Sequence, residues 1–137
     1  MSAPKILVVD DSRTVRVQLR RMLSDVGCEV ILAADGEEGI ERVVQEQPQL
    51  LILDIQMPGK DGYAVCQELQ QRGPPWSDLP VIFLTVLESH ALHLLGSKMG
   101  AYLRKPVQRD ALLQSVSEFL RTTSADRGPM GELNLQR

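Results

Sequence analysis

The sequence predicts an α/β fold in which a five-stranded parallel sheet is covered by helices on both faces. Short apolar runs alternate along the chain with longer segments whose apolar residues recur at helical spacing. The central run, residues 50–53, is apolar throughout and so has no polar face, as expected of a strand that is buried on both sides of a parallel sheet. The connections between these segments are short, which favours alternating strands and helices within one domain.

In the first half of the chain, two helices are predicted to separate three strands at residues 5–9, 29–33 and 50–53. Ser12 is placed to cap the first helix and Gly27 to end it. Asp35 followed by Glu38 is the capping pattern that opens the second helix, which Pro48 stops. The order strand, helix, strand, helix, strand follows.

In the second half, three helices alternate with two further strands at residues 80–85 and 101–104. The helices are predicted at residues 61–73, 89–98 and 109–121. Residues 122–137 are polar, contain Gly128-Pro129 and show no period. This composition predicts a flexible tail that follows a single domain of residues 4–121.

The carboxyl ends of the strands carry the side chains that could bind a cation or take part in a reaction. Asp10 and Asp11 follow the first strand, Asp54 ends the central one, and Thr85 and Lys105 end the last two. A doubly wound, flavodoxin-like sheet with strand order 2-1-3-4-5 makes the first and third strands neighbours, about 4.8 Å apart. Three carboxylates at that spacing repel one another unless one is protonated or a cation is bound. Oxygen ligands favour Mg²⁺ first and Mn²⁺ second.

These five side chains match the requirements of phosphoryl transfer. A cation and an ammonium neutralise the transferring group, a hydroxyl donates a hydrogen bond, and a carboxylate attacks to form an acyl phosphate. Each residue alone has an ordinary explanation: Asp11 as a helix cap, Thr85 as a strand-end residue and Lys105 as a surface charge. Their joint occurrence at four strand ends favours the chemical interpretation.

The charge and hydropathy of the sequence argue against some classes of binding partner. The net charge of −3 argues against a nucleic-acid-binding surface, and the arginines at 16, 20 and 21 are interpreted as a solvated helix face. The chain has no apolar stretch of the length that a membrane span or signal peptide needs, which predicts a cytoplasmic protein. Cys28 and Cys66 lack the spacing of a metal site and are predicted to be buried thiols.

Four motifs resemble, in order, the receiver domains of two-component response regulators, especially single-domain receivers of the chemotaxis type. They are Val8-Val9-Asp10-Asp11-Ser12, the segment DIQMPGKDG at residues 54–62, Thr85, and Tyr102-Leu103-Arg104-Lys105-Pro106. The resemblance covers about residues 4–121. It implies that Asp54 is the phosphoacceptor.

The resemblance also implies a ligand set for the cation. Asp11 and Asp54 would bind Mg²⁺ directly together with the backbone carbonyl of Gln56, and Asp10 would act through a water molecule.

Further roles follow from the same resemblance. Thr85 and Lys105 would hold the phosphoryl oxygens, the Lys105–Pro106 peptide would be cis, and Tyr102 would be the aromatic switch residue. The phosphoryl donor would be a histidine kinase or a phosphotransfer protein. A downstream protein would bind the surface of the fourth helix, fifth strand and last helix, and a homodimer through that surface is also considered.

Two alternatives stay open. The chain is also compatible with a receiver module excised from a larger regulator or hybrid kinase. A Mg²⁺-dependent aspartyl phosphohydrolase would need a second acid two residues after the nucleophile, where this chain has Gln56. The favoured interpretation is therefore a signalling switch and not an enzyme, catalysing only its own phosphorylation and dephosphorylation.

Overall fold

The computed structural model describes residues 3–86 and 100–127. Its strands form one parallel sheet with the order β2-β1-β3-β4-β5. The strands are β1 (Lys5–Val9), β2 (Glu29–Ala33), β3 (Leu50–Asp54), β4 (Val81–Thr85) and β5 (Gly100–Arg104). This confirms the predicted flavodoxin-like order, in which β1 and β3 are neighbours.

Four helices accompany the sheet within the described residues. They are α1 (Arg13–Ser24), α2 (Gly36–Glu46), α3 (Gly62–Arg72) and α4 (Arg109–Arg127), with a short 3₁₀ turn at Trp76–Asp78. The helix predicted at residues 89–98 lies outside the described residues, so α4 is the last of the five predicted helices. In residues 3–86 and 100–127, no helix has both the length and the apolar character needed to cross a membrane.

The end of α4 corrects the sequence prediction. The sequence predicts that this helix stops at residue 121, but α4 continues to Arg127. The rest of the predicted flexible tail, residues 128–137, lies outside the described residues. Residues 122–127 contain no glycine or proline, and their weak helix formers are tolerated as long as nothing breaks the pattern. The first strong stop signal in the sequence is Gly128-Pro129.

Two apolar layers enclose the sheet because successive strand residues point to opposite faces. One layer packs against α2 and α3: it contains Leu7, Val9, Leu51, Leu53 and Phe83 from the strands. The other packs against α1 and α4: it contains Ile6, Val8, Ile52, Ile82 and Leu84. All five residues of β3 are buried, as the uninterrupted apolar run predicts. Each such side chain contributes about 1.5–3 kcal/mol of transfer free energy on burial.

Local features at the carboxyl edge fix where the helices begin. The Ser12 hydroxyl accepts a hydrogen bond from the Val15 N–H at the start of α1 (3.3 Å), and the Asp61 carboxylate accepts one from the Ala64 N–H at the start of α3 (2.9 Å). Gly62 allows α3 to begin directly against β3, since a Cβ at this position would lie 2.6 Å from the carbonyl oxygen of Asp54.

Candidate functional site

The structure brings the sequence-predicted acids together at the carboxyl edge of the sheet. One carboxylate oxygen from each of Asp10, Asp11 and Asp54 lies within 4.8 Å of the other two. Asp10 and Asp54 are buried, whereas Asp11 is exposed. The cluster arises because β1 and β3 are parallel neighbours in register, with Val9 beside Leu53.

The two buried acids each use one oxygen and leave the other without a hydrogen bond. Asp10 Oδ1 accepts from the Ser12 N–H (2.9 Å), and Asp54 Oδ1 accepts from the Gln56 N–H (3.2 Å). The Oδ2 atoms of both residues are buried and accept no hydrogen bond. Buried oxygens of this kind are costly unless a charged group compensates them.

Lys105 supplies that compensation. Its Nζ forms ion pairs with Oδ2 of Asp10 (2.9 Å) and Oδ2 of Asp54 (3.3 Å). Burial of Lys105 opposes its charge, but the close contact with Asp10 and the attraction of both carboxylates outweigh burial and raise the pKa of the lysine. Lys105 therefore stays protonated beside the acids.

Asp54 is the acid whose protonation the site perturbs. Burial raises its pKa from 3.8 to about 6, and the charge of Asp10 and the contact with Asp11 act in the same direction. Lys105 lowers the pKa but does not cancel these effects. Asp54 is therefore mainly ionised at neutral pH and becomes protonated in mild acid.

The donor set fits a hard divalent cation. Three carboxylates converge, and the single ammonium of Lys105 that faces the two buried Oδ2 atoms does not balance their charge. Mg²⁺ prefers such oxygen ligands and keeps part of its water shell, which the exposed position of Asp11 allows. The backbone of Gln56 adjoins the cluster through its N–H contact with Asp54.

Thr85 and Lys105 are joined at the main chain. Thr85 is buried at the end of β4, and the Lys105 N–H donates to its carbonyl oxygen (2.9 Å). The Lys105–Pro106 peptide is cis, as the resemblance implies. Tyr102 lies beside Phe83 across β4 and β5 and is partly exposed. Its role as a switch residue stays a prediction.

Sequence reasoning missed the role of Arg16, which was grouped with Arg20 and Arg21 as a solvated face. The Arg16 Nη1 donates to the backbone carbonyl of Asp10 at 2.7 Å and so braces the turn that carries the first two acids. A usable signal was its position four residues after Ser12, one helical turn beyond the helix cap.

The two thiols are free, as predicted from their sequence context. Cys66 is buried, and burial raises its pKa to about 12. Cys28 is partly buried, and burial raises its pKa as well. Both thiols are therefore protonated at neutral pH.

Comparisons with known proteins agree with this geometry. A family model described as the response regulator receiver domain matches residues 6–117. The chain is 42% identical over 127 residues to the response regulator MprA of Mycobacterium sp. (strain KMS), covering 91% of this chain and 54% of that protein. It is 44% identical over 121 residues to the probable transcriptional regulator ycf27 of Cyanophora paradoxa, covering 87% of this chain and 49% of that protein. The chain thus spans about half the length of these curated relatives.

The solved structures that resemble this chain also include response regulators. The chemotaxis protein CheY4 of Vibrio cholerae superposes with a TM-score of 0.80 at 28% identity, covering 87% of this chain and 100% of that chain. A putative response regulator from Chloroflexus aurantiacus gives a TM-score of 0.78 at 33% identity, covering 86% and 98%. Since the family match, the sheet order and the strand-end motifs coincide over most of the chain, it belongs to the receiver domain family of two-component response regulators.

Proposed function

We propose that the chain is a phosphorylation-activated switch that accepts a phosphoryl group on Asp54 with Mg²⁺ and acts through protein partners. The observation that carries this proposal is the state of Asp54 Oδ2. This oxygen is buried, accepts no hydrogen bond and lies 3.3 Å from the Lys105 ammonium. It is available for bond formation beside a positive charge.

Asp54 Oδ2 is the proposed nucleophile because the Gln56 N–H occupies Oδ1. With a pKa of about 6 the carboxylate carries its charge at neutral pH. Oδ2 forms a bond to the phosphorus of a phosphohistidine donor as the phosphorus–nitrogen bond breaks. The electron pair of that bond stays on the imidazole nitrogen of the donor, which is a histidine kinase or a phosphotransfer protein.

The proposed cation ligands are the carboxylates of Asp11 and Asp54 and the backbone carbonyl of Gln56, with Asp10 acting through water. Mg²⁺, or Mn²⁺ in its place, would neutralise the carboxylates and the phosphoryl oxygens when bound. Arg16 supports this arrangement by holding the main chain at Asp10.

Lys105 is proposed to hold the product. Its ammonium already contacts Oδ2 of both buried acids, so phosphorylation of Asp54 would leave it between Asp10 and the new phosphoryl oxygens. Thr85, buried at the adjacent strand end, would add a hydroxyl hydrogen bond. Movement of Thr85 toward the phosphoryl group would favour an inward position of the partly exposed Tyr102, which is a shift between two populated states.

The switch surface is proposed to comprise the predicted helix at residues 89–98, β5 and α4. A downstream protein would bind there, and homodimerisation through the same surface is the alternative output. We place the protein in the cytoplasm. The relatives named above are about twice as long, so a receiver within a larger regulator remains the second arrangement, and it uses the same chemistry.

We propose that the chain is not an enzyme toward an external substrate. An aspartyl phosphohydrolase needs a general acid two residues after its nucleophile. The exposed side chain at that position is the amide of Gln56, which has no titratable proton to give a leaving group.

The test is intact mass after incubation with acetyl phosphate and Mg²⁺. The native chain should gain one phosphoryl group, whereas Asp54→Asn and native protein in EDTA should gain none. Asp25→Asn is the matched control, because it makes the same change at an exposed ion-paired acid. Equal labelling of Asp54→Asn would refute the assignment, and continuous release of phosphate over many turnovers would favour the phosphohydrolase.

A further inference from the structure

The loop between β3 and α3, residues 55–61, joins the proposed phosphoacceptor to α3 and carries Gln56. Four anchors lie within this segment or directly beside it, and two of them are the Gln56 N–H bond to Asp54 and the Asp61 cap on the Ala64 N–H described above. The Gly62 N–H donates to the Ile55 carbonyl (2.9 Å), and the Met57 side chain is buried in the core layer under α2 and α3. These anchors fix the two ends and the middle of the loop. They leave the turn at Gly59 and Lys60 to be held by other contacts.

Lys60 provides those contacts. Its Nζ donates to Glu68 Oε1 on α3 and lies 3.6 Å from Glu37 Oε1 on α2. The other oxygen of Glu68 is paired with Arg72 (3.3 Å), so Glu68 is held between two cations. Lys60 is largely covered for a lysine, with 24% of its side chain exposed. The loop is thereby tied to two helices at once.

The charges of this network reinforce one another. The hydrogen bond to Glu68 raises the pKa of Lys60, and the hydrogen bonds from Lys60 and Arg72 lower the pKa of Glu68. Both groups therefore remain charged across the range in which the domain would work.

Main-chain packing supports the same attachment independently of charge. Gly36, the first residue of α2, lies so close to the loop that a Cβ there would collide with the Lys60 carbonyl oxygen and lie 3.0 Å from the Lys60 Cβ. The loop therefore rests directly on the first turn of α2. A shift of this turn would be transmitted to the loop.

We propose that Lys60 is a positioning residue, whose ion pairs to α2 and α3 hold the loop so that the main chain at Gln56 is preset for the divalent cation. This inference rests on the proposed function, in which the Gln56 carbonyl is a cation ligand. A ligand on a loose loop must be ordered when the cation binds, and that ordering lowers affinity. Partners outside the ligand shell commonly affect metal affinity for this reason.

The test is a Mg²⁺ titration of ¹⁵N-labelled protein, followed by amide chemical shifts. Lys60→Met should raise the dissociation constant about fivefold, the size expected for losing one well-placed ion-pair network. Lys60→Arg should restore nearly native affinity, because it keeps the charge and the reach.

Lys5→Met is the matched control. Lys5 is also a partly covered lysine, and its Nζ lies 3.4 Å from Glu46 Oε1. It begins β1 and so lies at the amino ends of the strands, away from the acid cluster at their carboxyl ends. This variant loses the same charge and a comparable ion pair, so its Mg²⁺ affinity should equal that of the native protein. A fivefold loss in both variants would mean that a general effect of losing a lysine ion pair, and not the loop, sets affinity, because removal of a positive charge by itself favours cation binding.

A double-mutant cycle with Glu68→Gln isolates the contact. Glu68→Gln and Lys60→Met should each weaken Mg²⁺ binding and accelerate hydrogen exchange of the amides at residues 56–60, and the double variant should lose little more than either single one. Gly36→Ala should produce the same two changes by steric displacement of the loop. Unchanged affinity and exchange in Lys60→Met would overturn the inference while leaving the proposed function intact. Absence of Mg²⁺ binding by the native chain would overturn both.

Discussion

Replacing Asp54 by asparagine removes a buried carboxylate whose charge the fold disfavours. The substitution keeps the shape of the side chain and its acceptor oxygen, so the main change is the loss of ionisation. Burial and the neighbouring acids raise the pKa of Asp54 from 3.8 to about 6, which means that the native state binds its proton more tightly than the unfolded state does. We therefore expect Asp54→Asn to stabilise the metal-free protein at neutral and alkaline pH.

The sign and size follow from proton linkage. Above about pH 7 Asp54 is ionised in both states, and the native state carries the full cost of the shift, about 3 kcal/mol at about 1.4 kcal/mol per pKa unit. Burying the asparagine amide costs about 1 kcal/mol, so the net gain is about 2 kcal/mol. As the pH falls from 6 towards 4 the native carboxylate takes up a proton first, and the advantage of asparagine disappears.

The assay is urea unfolding in EDTA at about pH 8 and about pH 4, followed by the fluorescence of Trp76. This is the single tryptophan of the chain, and it packs against the core layer under α2 and α3. Asp25→Asn is the control, since the exposed Asp25 carboxylate is paired with Arg109 and should change stability by less than about 0.5 kcal/mol. The reasoning fails if Asp54→Asn brings no gain at pH 8, or if the gain is equally large at pH 4.

Three further predictions concern the same edge of the sheet. Gly62→Ala should lower the free energy of unfolding by about 2 kcal/mol, because its methyl would lie 2.6 Å from the Asp54 carbonyl; a loss below about 0.5 kcal/mol in urea would contradict that close approach. Lys105→Met should raise the pKa of Asp54 further, since the lysine lowers it; a ¹³C carboxyl titration by NMR that shows no change or a decrease would count against the ion pair. Asp61→Ala should lower the free energy of unfolding by about 1 kcal/mol, because it removes the cap on the Ala64 N–H. Asp61→Asn keeps a capping oxygen and should retain most of the native stability in the same urea assay.

The sheet and its acid cluster were predictable because one property of the sequence determines both. Apolar runs without a polar face identify buried parallel strands, and β3 is such a run. Once β1 and β3 are neighbours in register, Asp10 and Asp54 have to meet at the carboxyl edge. The family resemblance then supplied roles for the individual residues, which the pattern alone does not contain.

Other features could not be predicted, since they depend on reach and competition between side chains. The position of Arg16 one turn after Ser12 places it near the strand end, but the sequence does not show that its side chain bonds to a backbone carbonyl. Nor does the sequence show that Lys60 turns toward Glu68 and not toward solvent. The end of α4 was misplaced because residues 122–127 lower helix propensity without ending the helix. Long, flexible cationic side chains and weak helix formers are therefore where the sequence prediction was weakest.

Charge counting at the site explains why a cation and Lys105 are both needed in the proposed chemistry. Three carboxylates and one ammonium, Asp10, Asp11, Asp54 and Lys105, give a formal charge of −2 when all are ionised. Conversion of Asp54 to an acyl phosphate replaces one negative charge by about two, so the metal-free product would carry about −3 in a largely buried cluster. A bound divalent cation reduces that to about −1, which Lys105 alone cannot do. We therefore expect phosphorylation to depend more steeply on Mg²⁺ than on Lys105, which contacts Oδ2 of both buried acids.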